Sequence, residues 1–507
     1  MAERGIYTAA ERRMLEAFRD LSARLTGWVG ETPAAGFPYP AHRVATKELI
    51  EHMASAADFR NPLYRDDAYA RNTRWGSVVA PPFYYHAILH GGGICPLFLA
   101  PDEGIVRNEL VLMMHKSDFY KPVHVGDVFK VWYGPTKIED ITESGENSLR
   151  RFRTSRLISY INQRDEIVCS DTDYHFYTIL PPAGNRGAEK YSVKENNIQE
   201  RIGLEYTKEY SYTKDDIGMI DRLYETEERR GSNALFWEDV AVGESLPPTV
   251  MGPLTAWDSV VSMQGFGAAC LTMNDLRQLK ADTVIVDPAT GIPGQDIELH
   301  LTDRGARVFN SYSVTPIGPP ILHFFGRLIT NWMGDDGFLR RLTWRNMTNT
   351  PFGDTIFGRG KVTRKYIENG ECMVDLDIWM ESVRGFVSNV GPATVSLLSR
   401  EKIFARNEAP AFVVPPLADA YERDVGSPCV NDRVDVKAGD RVRLKDRDDW
   451  PMPGGYRLAR RTGTVTEVVD YPKGYALIEM DEAVTGIDTR VPLGFRLDAI
   501  EQFEKDA

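Results

Sequence analysis

Near the start of the chain, apolar side chains recur at steps of three and four: Met14, Leu15, Phe18, Leu21 and Leu25. That period places them on one stripe of a helix. A shorter helix is predicted from Thr46 to Ala57. The uncharged run Pro81 to Leu89 reads as a buried helix, with proline near its start, where a missing N–H does no harm. The pattern then changes. Val125–Tyr133, Arg151–Asn162 and Glu166–Ile179 are enriched in β-branched and aromatic residues, which predicts strands.

The second half repeats this order. Pro320 to Met333 contains Ile321, Leu322, Phe324, Phe325, Leu328, Ile329 and Trp332, apolar nearly all round, so this helix should be wrapped by sheet on most sides. Strands predicted at 355–366, 371–381 and 392–399 supply the wrapping. Between the halves lies a connector, 186–235, rich in Lys, Glu and Tyr. It is too long to be structureless in a compact protein and is expected to hold one or two helices. After a proline-rich break at Ala409 to Pro416, short alternating strands such as Asp440–Leu444 and Gly463–Val469 predict a small β-barrel over about 430–507.

The repetition extends to individual residues. With Tyr64 placed over His300, Leu63 falls on Leu299, Asp67 on Asp303, Ala70 on Ala306 and Arg71 on Arg307. Ala80-Pro81-Pro82 then lies over Gly318-Pro319-Pro320, and Gly126-Asp127 over Gly353-Asp354, each Gly-Asp preceding a strand. Ala45-Thr46-Lys47 matches Leu254-Thr255-Ala256. Matches in one order along the chain point to a duplication. The units are expected at 1–185 and 236–402, with an insertion at 270–296 just before His300 and a linker at 403–429. The insertion's run Asp287–Gly294 is rich in turn formers.

Composition narrows the function. The chain has 507 residues, 42% hydrophobic and 26% charged, as in ordinary globular proteins, and a net charge of −13. Phosphates would repel that charge, which argues against a nucleic-acid partner. No apolar run approaches the roughly 18 residues of a membrane span. The charged, amphipathic N-terminus does not resemble a signal peptide. Five scattered cysteines show no metal spacing and suit a reducing compartment, so a cytoplasmic location is expected.

One buried helix wrapped by antiparallel sheet, present twice, with Asn61-Pro62-Leu63 ahead of the first, resembles the double hot-dog fold, an α+β architecture. More narrowly, the chain resembles MaoC-like (R)-specific enoyl-CoA hydratases and acyl dehydratases. The first unit is similar to their fatty-acid-synthase-like dehydratase domain through Asn61–Asp66 and Phe119–Asp127. The second is similar to the MaoC domain through Trp237–Val240, Gly252–Thr255 and Thr330–Asp336. The C-terminal module, through Gly439–Val442 and Arg461–Val465, is similar to the SH3-like barrel of nitrile hydratase β chains, for which a packing or interaction role is expected.

The resemblance implies water addition to an enoyl-CoA thioester, or its reversal, with no metal or redox cofactor. An Asp and a His five residues apart hold the water, and helix-start N–H groups polarise the thioester. In the first unit Tyr64 stands at the His position, and Asp58 lies six residues before it. In the second, His300 keeps the His position, but the five-residue spacing lands on Gln295, with Asp296 and Glu298 close by. The expected catalytic groups are therefore His300, Asp296 and the Gly318 N–H, with Tyr64, Asn61 and Glu298 touching substrate. Two alternatives stand beside this one: a silent acyl-CoA-binding subunit that pairs with an active hydratase chain, and a hot-dog thioesterase. Self-association or a partner hydratase subunit is expected in place of any nucleic acid or membrane.

Overall fold

The computed structural model describes residues 4–28, 42–89, 106–142, 150–180, 209–267, 272–278, 284–287, 290–308, 314–401, 436–469, 473–484, 487 and 492–502. In the first unit these form α1 (Ala9–Leu25), β1 (Gly27–Trp28), α2 (Lys47–Ala57), a 3₁₀ turn at Pro62–Tyr64, α3 (Asp67–Arg71), α4 (Tyr85–Ile88) and five strands. The strands are β2 (Val106–Phe119), β3 (Phe129–Tyr133), β4 (Lys137–Asp140), β5 (Arg150–Asn162) and β6 (Ile167–Leu180). The connector carries α5 (Lys214–Glu225).

In the second unit come β7 (Thr249–Met251), α6 (Ala256–Gly265), α7 (Met273–Gln278), β8 (Val284–Val286), β9 (Pro293–Gln295), a 3₁₀ turn at Asp296–His300, α8 (Asp303–Val308) and α9 (Gly318–Met333). Then follow β10 (Phe338–Asn346), β11 (Ile356–Glu368), β12 (Glu371–Ser382) and β13 (Val387–Leu397).

The strand order states the duplication. One side reads β1-β3-β5-β6-β2, and the other continues β10-β13-β12-β11-β7. The order therefore mirrors about the β2–β10 junction, where Met114–Asp118 pairs antiparallel with Arg341–Arg345. Two hot-dog units thus share one sheet, a double hot-dog.

Backbone hydrogen bonds repeat as well. Ala45 N donates to Asp127 O at 2.8 Å and Gly126 N to Ala45 O at 2.8 Å; Leu254 N donates to Asp354 O at 2.9 Å and Gly353 N to Leu254 O at 2.7 Å. Gly126 and Gly353 have φ of 90° and 85°, a conformation that favours glycine. Thr46 and Thr255, matched in sequence, are the N-caps of α2 and α6. Those helices pack closely, for a Cβ on Gly265 would lie 2.4 Å from that of Ala56.

α9 is buried along almost its whole length, as its all-round apolar pattern predicts. It stops at Gly334, whose φ of 71° ends the helix where Arg230 and Gly231 cross it. Each fully buried Leu, Ile or Phe on it contributes roughly 1.5–3 kcal/mol. The first unit differs from expectation. Its run Pro81–Leu89 is not one helix: Phe83 adopts φ 68°, which breaks the path, and only Tyr85–Ile88 is α-helical. Gly91–Gly93, the start of the connector and the break at 409–416 lie outside the described residues.

At the C-terminal end, β14 (Arg441–Leu444), β15 (Thr462–Val468), β16 (Tyr475–Met480), β17 (Leu493–Arg496) and β18 (Ile500–Gln502) run in the order β17-β16-β15-β14-β18. Val442, Leu444, Leu458, Val465 and Ile478 form their own core. Buried Arg496 ties the module to the second unit through Asp377 at 2.8 Å.

Candidate active site

Both sequence motifs build the same local structure, a 3₁₀ turn followed by a short helix. In the first unit Asn61 Oδ1 accepts from Leu63 N at 3.1 Å, and Asp66 caps α3. In the second, Glu298 accepts from Gln295 N at 3.1 Å and pairs with Arg304 at 2.5 Å, while Thr302 Oγ1 accepts from Gly305 N at 3.0 Å. Asp67 and Asp303 open the two helices. Tyr64 and His300 each end their turn.

Around His300 the geometry fixes a tautomer. Nδ1 lies 2.9 Å from the Thr315 carbonyl, which only accepts, so Nδ1 carries the proton and Nε2 keeps its lone pair. Burial pushes the imidazole pKa down to about 4, with the Thr315 carbonyl pulling weakly the other way. The ring is therefore neutral near pH 7. Among the described residues nothing hydrogen-bonds to Nε2. Two residues past Thr315–Pro316, α9 begins at Gly318 with no side-chain cap. Pro319 and Pro320 have no N–H, which leaves Gly318 as the only residue of the first three in the helix with a donor, at its positive end. The side chain of Asp296 lies outside the described ones. The Glu298 carboxylate is engaged within the turn, so its expected contact with substrate gives way to holding the loop in shape.

The corresponding place in the first unit is an apolar pocket of about 780 Å³, counting the open space at its mouth. Asn61, Leu63 and Tyr64 form one wall and Ala80, Pro81 and Pro82 another. The second unit closes it with Thr330 and Met333 from α9 and with Asp335, Phe338 and Leu339 beyond. No residue of the His300 turn lines it, so the structure does not bring Tyr64 and Asn61 together with His300 and Gly318. Shifted by the 238 residues that separate Ala80 from Gly318, the closing segment corresponds to 92–101, outside the described residues.

The turn beside this pocket carries a phenol where the second unit has an imidazole. Tyr64 is buried, and its phenol is held well above its ordinary pKa by burial first and by Asp58 next, so it is a neutral hydroxyl that meets Thr330. Asp58 itself is clamped by Arg229 through bonds of 2.7 and 2.5 Å. Arg229 comes from the connector, which sequence reasoning treated as a spacer, and nothing in the local motif signals it. The walls drawn from the second unit were equally hidden, although Thr330–Asp336 stands out in sequence as a motif.

A third cluster lies at the junction. His115 Nδ1 is 2.7 Å from Asp171 Oδ2, Ser117 Oγ donates to Asp171 Oδ1 at 2.6 Å, and Tyr85 Oη meets Ser117 at 3.1 Å. His86 Nδ1 of α4 approaches His323 Nε2 of α9 at 3.4 Å. Burial lowers the pKa of both His86 and His323, the latter to about 3. Among the described residues, no group of three or more His, Cys, Asp or Glu is placed to hold a metal ion, and no helix is long and apolar enough to cross a membrane.

Residues 36–171 match the FAS1-like dehydratase domain region. No curated protein matches the chain. Among solved structures, a MaoC-like dehydratase is similar at 14% identity over 75% of this chain and 99% of that one, with a TM-score of 0.46. A conserved hypothetical protein of Mycobacterium tuberculosis with a double hotdog fold is 12% identical over 71% and 94%, at TM-score 0.39. A MaoC-like dehydratase from Phytophthora capsici is 9% identical over 70% and 93%, at 0.36.

Proposed function

We propose that the protein is a hydratase or dehydratase that interconverts an enoyl-CoA and a 3-hydroxyacyl-CoA thioester in its second unit. The observation that carries this reading is the His300–Thr315 hydrogen bond, which aims a neutral imidazole's proton donor at a carbonyl and leaves Nε2 as a base. In the hydration direction, Nε2 and Asp296 hold a water. The water's oxygen bonds to the β-carbon, the displaced π electrons move toward the thioester oxygen, and the Gly318 N–H stabilises the enolate charge. The proton taken from the water is returned to the α-carbon, so atoms and charge balance without a redox partner. The match of residues 36–171 to a dehydratase domain supports the reaction class.

A second reading has its own support. A base whose pKa is held near 4 is weak, and the Glu298 carboxylate is engaged within its turn. A silent acyl-CoA-binding chain serving a partner hydratase would have these features. Hydration of a panel of linear and aromatic enoyl-CoA thioesters, followed as ultraviolet loss of the conjugated thioester, separates the two. The hydratase reading expects turnover, at least a hundredfold loss in His300→Ala, and no free thiol. Binding without turnover on every substrate would move the protein to the second reading, and released thiol would make it a thioesterase.

A further inference from the structure

The pocket of the first unit owes its shape to a break in the helical run. Pro81-Pro82-Phe83 follows Ala80 as Pro319-Pro320-Ile321 follows Gly318. In the second unit that sequence starts α9; in the first, Phe83 takes φ 68°, and Pro81 and Pro82 become pocket wall. A bulky residue at positive φ is strained, and such strain concentrates at ligand sites. The Phe83 ring is pinned, for it meets Phe119 edge-on at 5.4 Å, and a Cβ on Gly326 of α9 would lie 3.3 Å from it.

Two polar atoms are left open on this apolar lining. Asn61 is 3% exposed, and its Oδ1 accepts from Leu63 N at 3.1 Å. Its Nδ2 has no acceptor among the described residues, yet it is not sealed from solvent. Asp335 is 5% exposed; its Oδ2 accepts from Tyr69 Oη, and its backbone carbonyl from Trp75 Nε1 at 2.7 Å. Its Oδ1 has no donor among the described residues and is likewise not sealed from solvent. Tyr64, three residues past Asn61, lies close enough to Asp335 to feel its charge. Buried side chains that keep an unmet donor or acceptor are uncommon unless something meets it. Among the lining residues Lys121 is the one cation, and Glu166 holds it. An anionic head group would therefore meet the Asp335 carboxylate unopposed, and an ammonium would face the Asn61 N–H.

We propose that this pocket binds a small neutral carboxamide with a short aliphatic tail: its C=O accepts from Asn61 Nδ2, its N–H donates to Asp335 Oδ1, and its tail lies among Phe83, Phe119 and Val168. Most of the pocket's space is mouth, so the tail is slim, about four or five carbons, and not a ring system. The site does not depend on the chemistry proposed for His300 and stands or falls separately.

The test measures dissociation constants of hexanamide, 2-heptanone, hexylamine and hexanoate for the full-length chain by ligand-observed NMR. Hexanamide is expected to bind at least tenfold tighter than the other three, each of which lacks one of the two functions or carries a charge. Asn61→Asp keeps the oxygen that caps Leu63 N and exchanges the free donor for an acceptor. It is expected to weaken hexanamide at least tenfold and to bind hexylamine more tightly than the wild type does. Asp335→Asn keeps an oxygen for Tyr69 and turns an N–H toward the pocket. It is expected to weaken hexanamide about tenfold and to strengthen 2-heptanone. Each gain separates a change of recognition from a loss of fold, since a damaged pocket would bind every ligand less well. His300→Ala is expected to bind hexanamide as the wild type does. Absence of hexanamide binding, a control that binds as tightly, unchanged hexanamide affinity in both pocket variants, losses without the matching gains, or loss of binding in His300→Ala would each overturn the proposal.

Discussion

The turns at Pro62–Tyr64 and Asp296–His300 occupy the same place in the two units and lead into the same short helix, yet their surroundings have diverged in opposite senses. The first keeps a formed pocket and has no free acid–base pair, because Tyr64 replaces the imidazole and Arg229 clamps Asp58. The second keeps an oriented imidazole, preceded by a two-stranded insert of β8 and β9 that has no counterpart among the described residues of the first unit. In the function proposed above, one copy of the duplicated fold keeps the shape of a pocket and the other keeps the acid–base group. The backbone keeps the scaffold through the matching bonds that join Gly126 to Ala45 and Gly353 to Leu254, with glycine held at both turns.

The largest expected contrast concerns the two aspartates after those glycines. Asp354 is fully buried and held by buried Arg384 at 2.7 Å and Ser382 at 2.6 Å, whereas Asp127, also buried, bonds to His124 N and Gln163, and its nearest guanidinium, exposed Arg164, is 3.9 Å away. Arg384→Met strands a buried carboxylate and should cost about 3–5 kcal/mol in urea unfolding, and Arg164→Met less than about 1. Similar losses in both would show that the two aspartates depend equally on their arginines.

Activity should separate the units next. Asp296→Asn is expected to reduce hydration at least tenfold, since the base at His300 then works alone. Asp58→Asn is expected to alter kcat less than threefold, because Arg229 already neutralises that group. Kinetics on the same enoyl-CoA panel reads both.

Acid should act on the junction. His86, His323 and His175 have folded pKa values depressed by burial, the last two to about 3, below an unfolded value near 6.5. Such groups contribute fully above pH 6.5, and their contribution falls as pH drops toward 3, by roughly 1.4 kcal/mol per pH unit for each histidine. His115, raised by Asp171 against the opposing effect of its burial, contributes fully below pH 6.5 and loses that contribution only as pH rises above it, so it leaves the acid slope untouched. The thermal midpoint should therefore fall between pH 6.5 and 4, and less steeply in His323→Leu. A flat profile would mean that these rings already have acceptors or charge in the folded protein.

The smallest effect should be the same in both units. Thr46 accepts from Leu49 N at 3.2 Å and Thr255 from Trp257 N at 3.2 Å. Each Thr→Ala should cost about 1 kcal/mol, and a clear inequality in thermal unfolding would show that the caps are not equivalent.

How far the sequence reveals all this depends on what each segment packs against. α9 and the strands β11 to β13 are legible because a helix wrapped by sheet is apolar all round and its strands are β-branched. β2 and β10 are not, since they form the junction: His115 and Ser117 are buried there as polar partners of Asp171, and Arg340 and Arg341 reach Glu371 and Glu368. Alternation is lost when both faces of a strand are covered and ion pairs take up the charges. The helix expected over Pro81–Leu89 fails at Phe83, a positive-φ residue that no local pattern announces. Of the site, Tyr64 and His300 follow from the repeat alone. Arg229 acts through a contact with Asp58, far away in the chain, which a one-dimensional pattern does not carry.

The central claim is that the proposed chemistry resides in the second unit and not in the first. The most direct measurement is kcat/KM for enoyl-CoA hydration in His300→Tyr, which gives the second turn the residue of the first, beside Tyr64→Phe, with folding checked by circular dichroism. At least a hundredfold loss in the former and less than a threefold change in the latter is the predicted result. A folded His300→Tyr protein with near wild-type turnover, or a hundredfold loss in Tyr64→Phe, would contradict it.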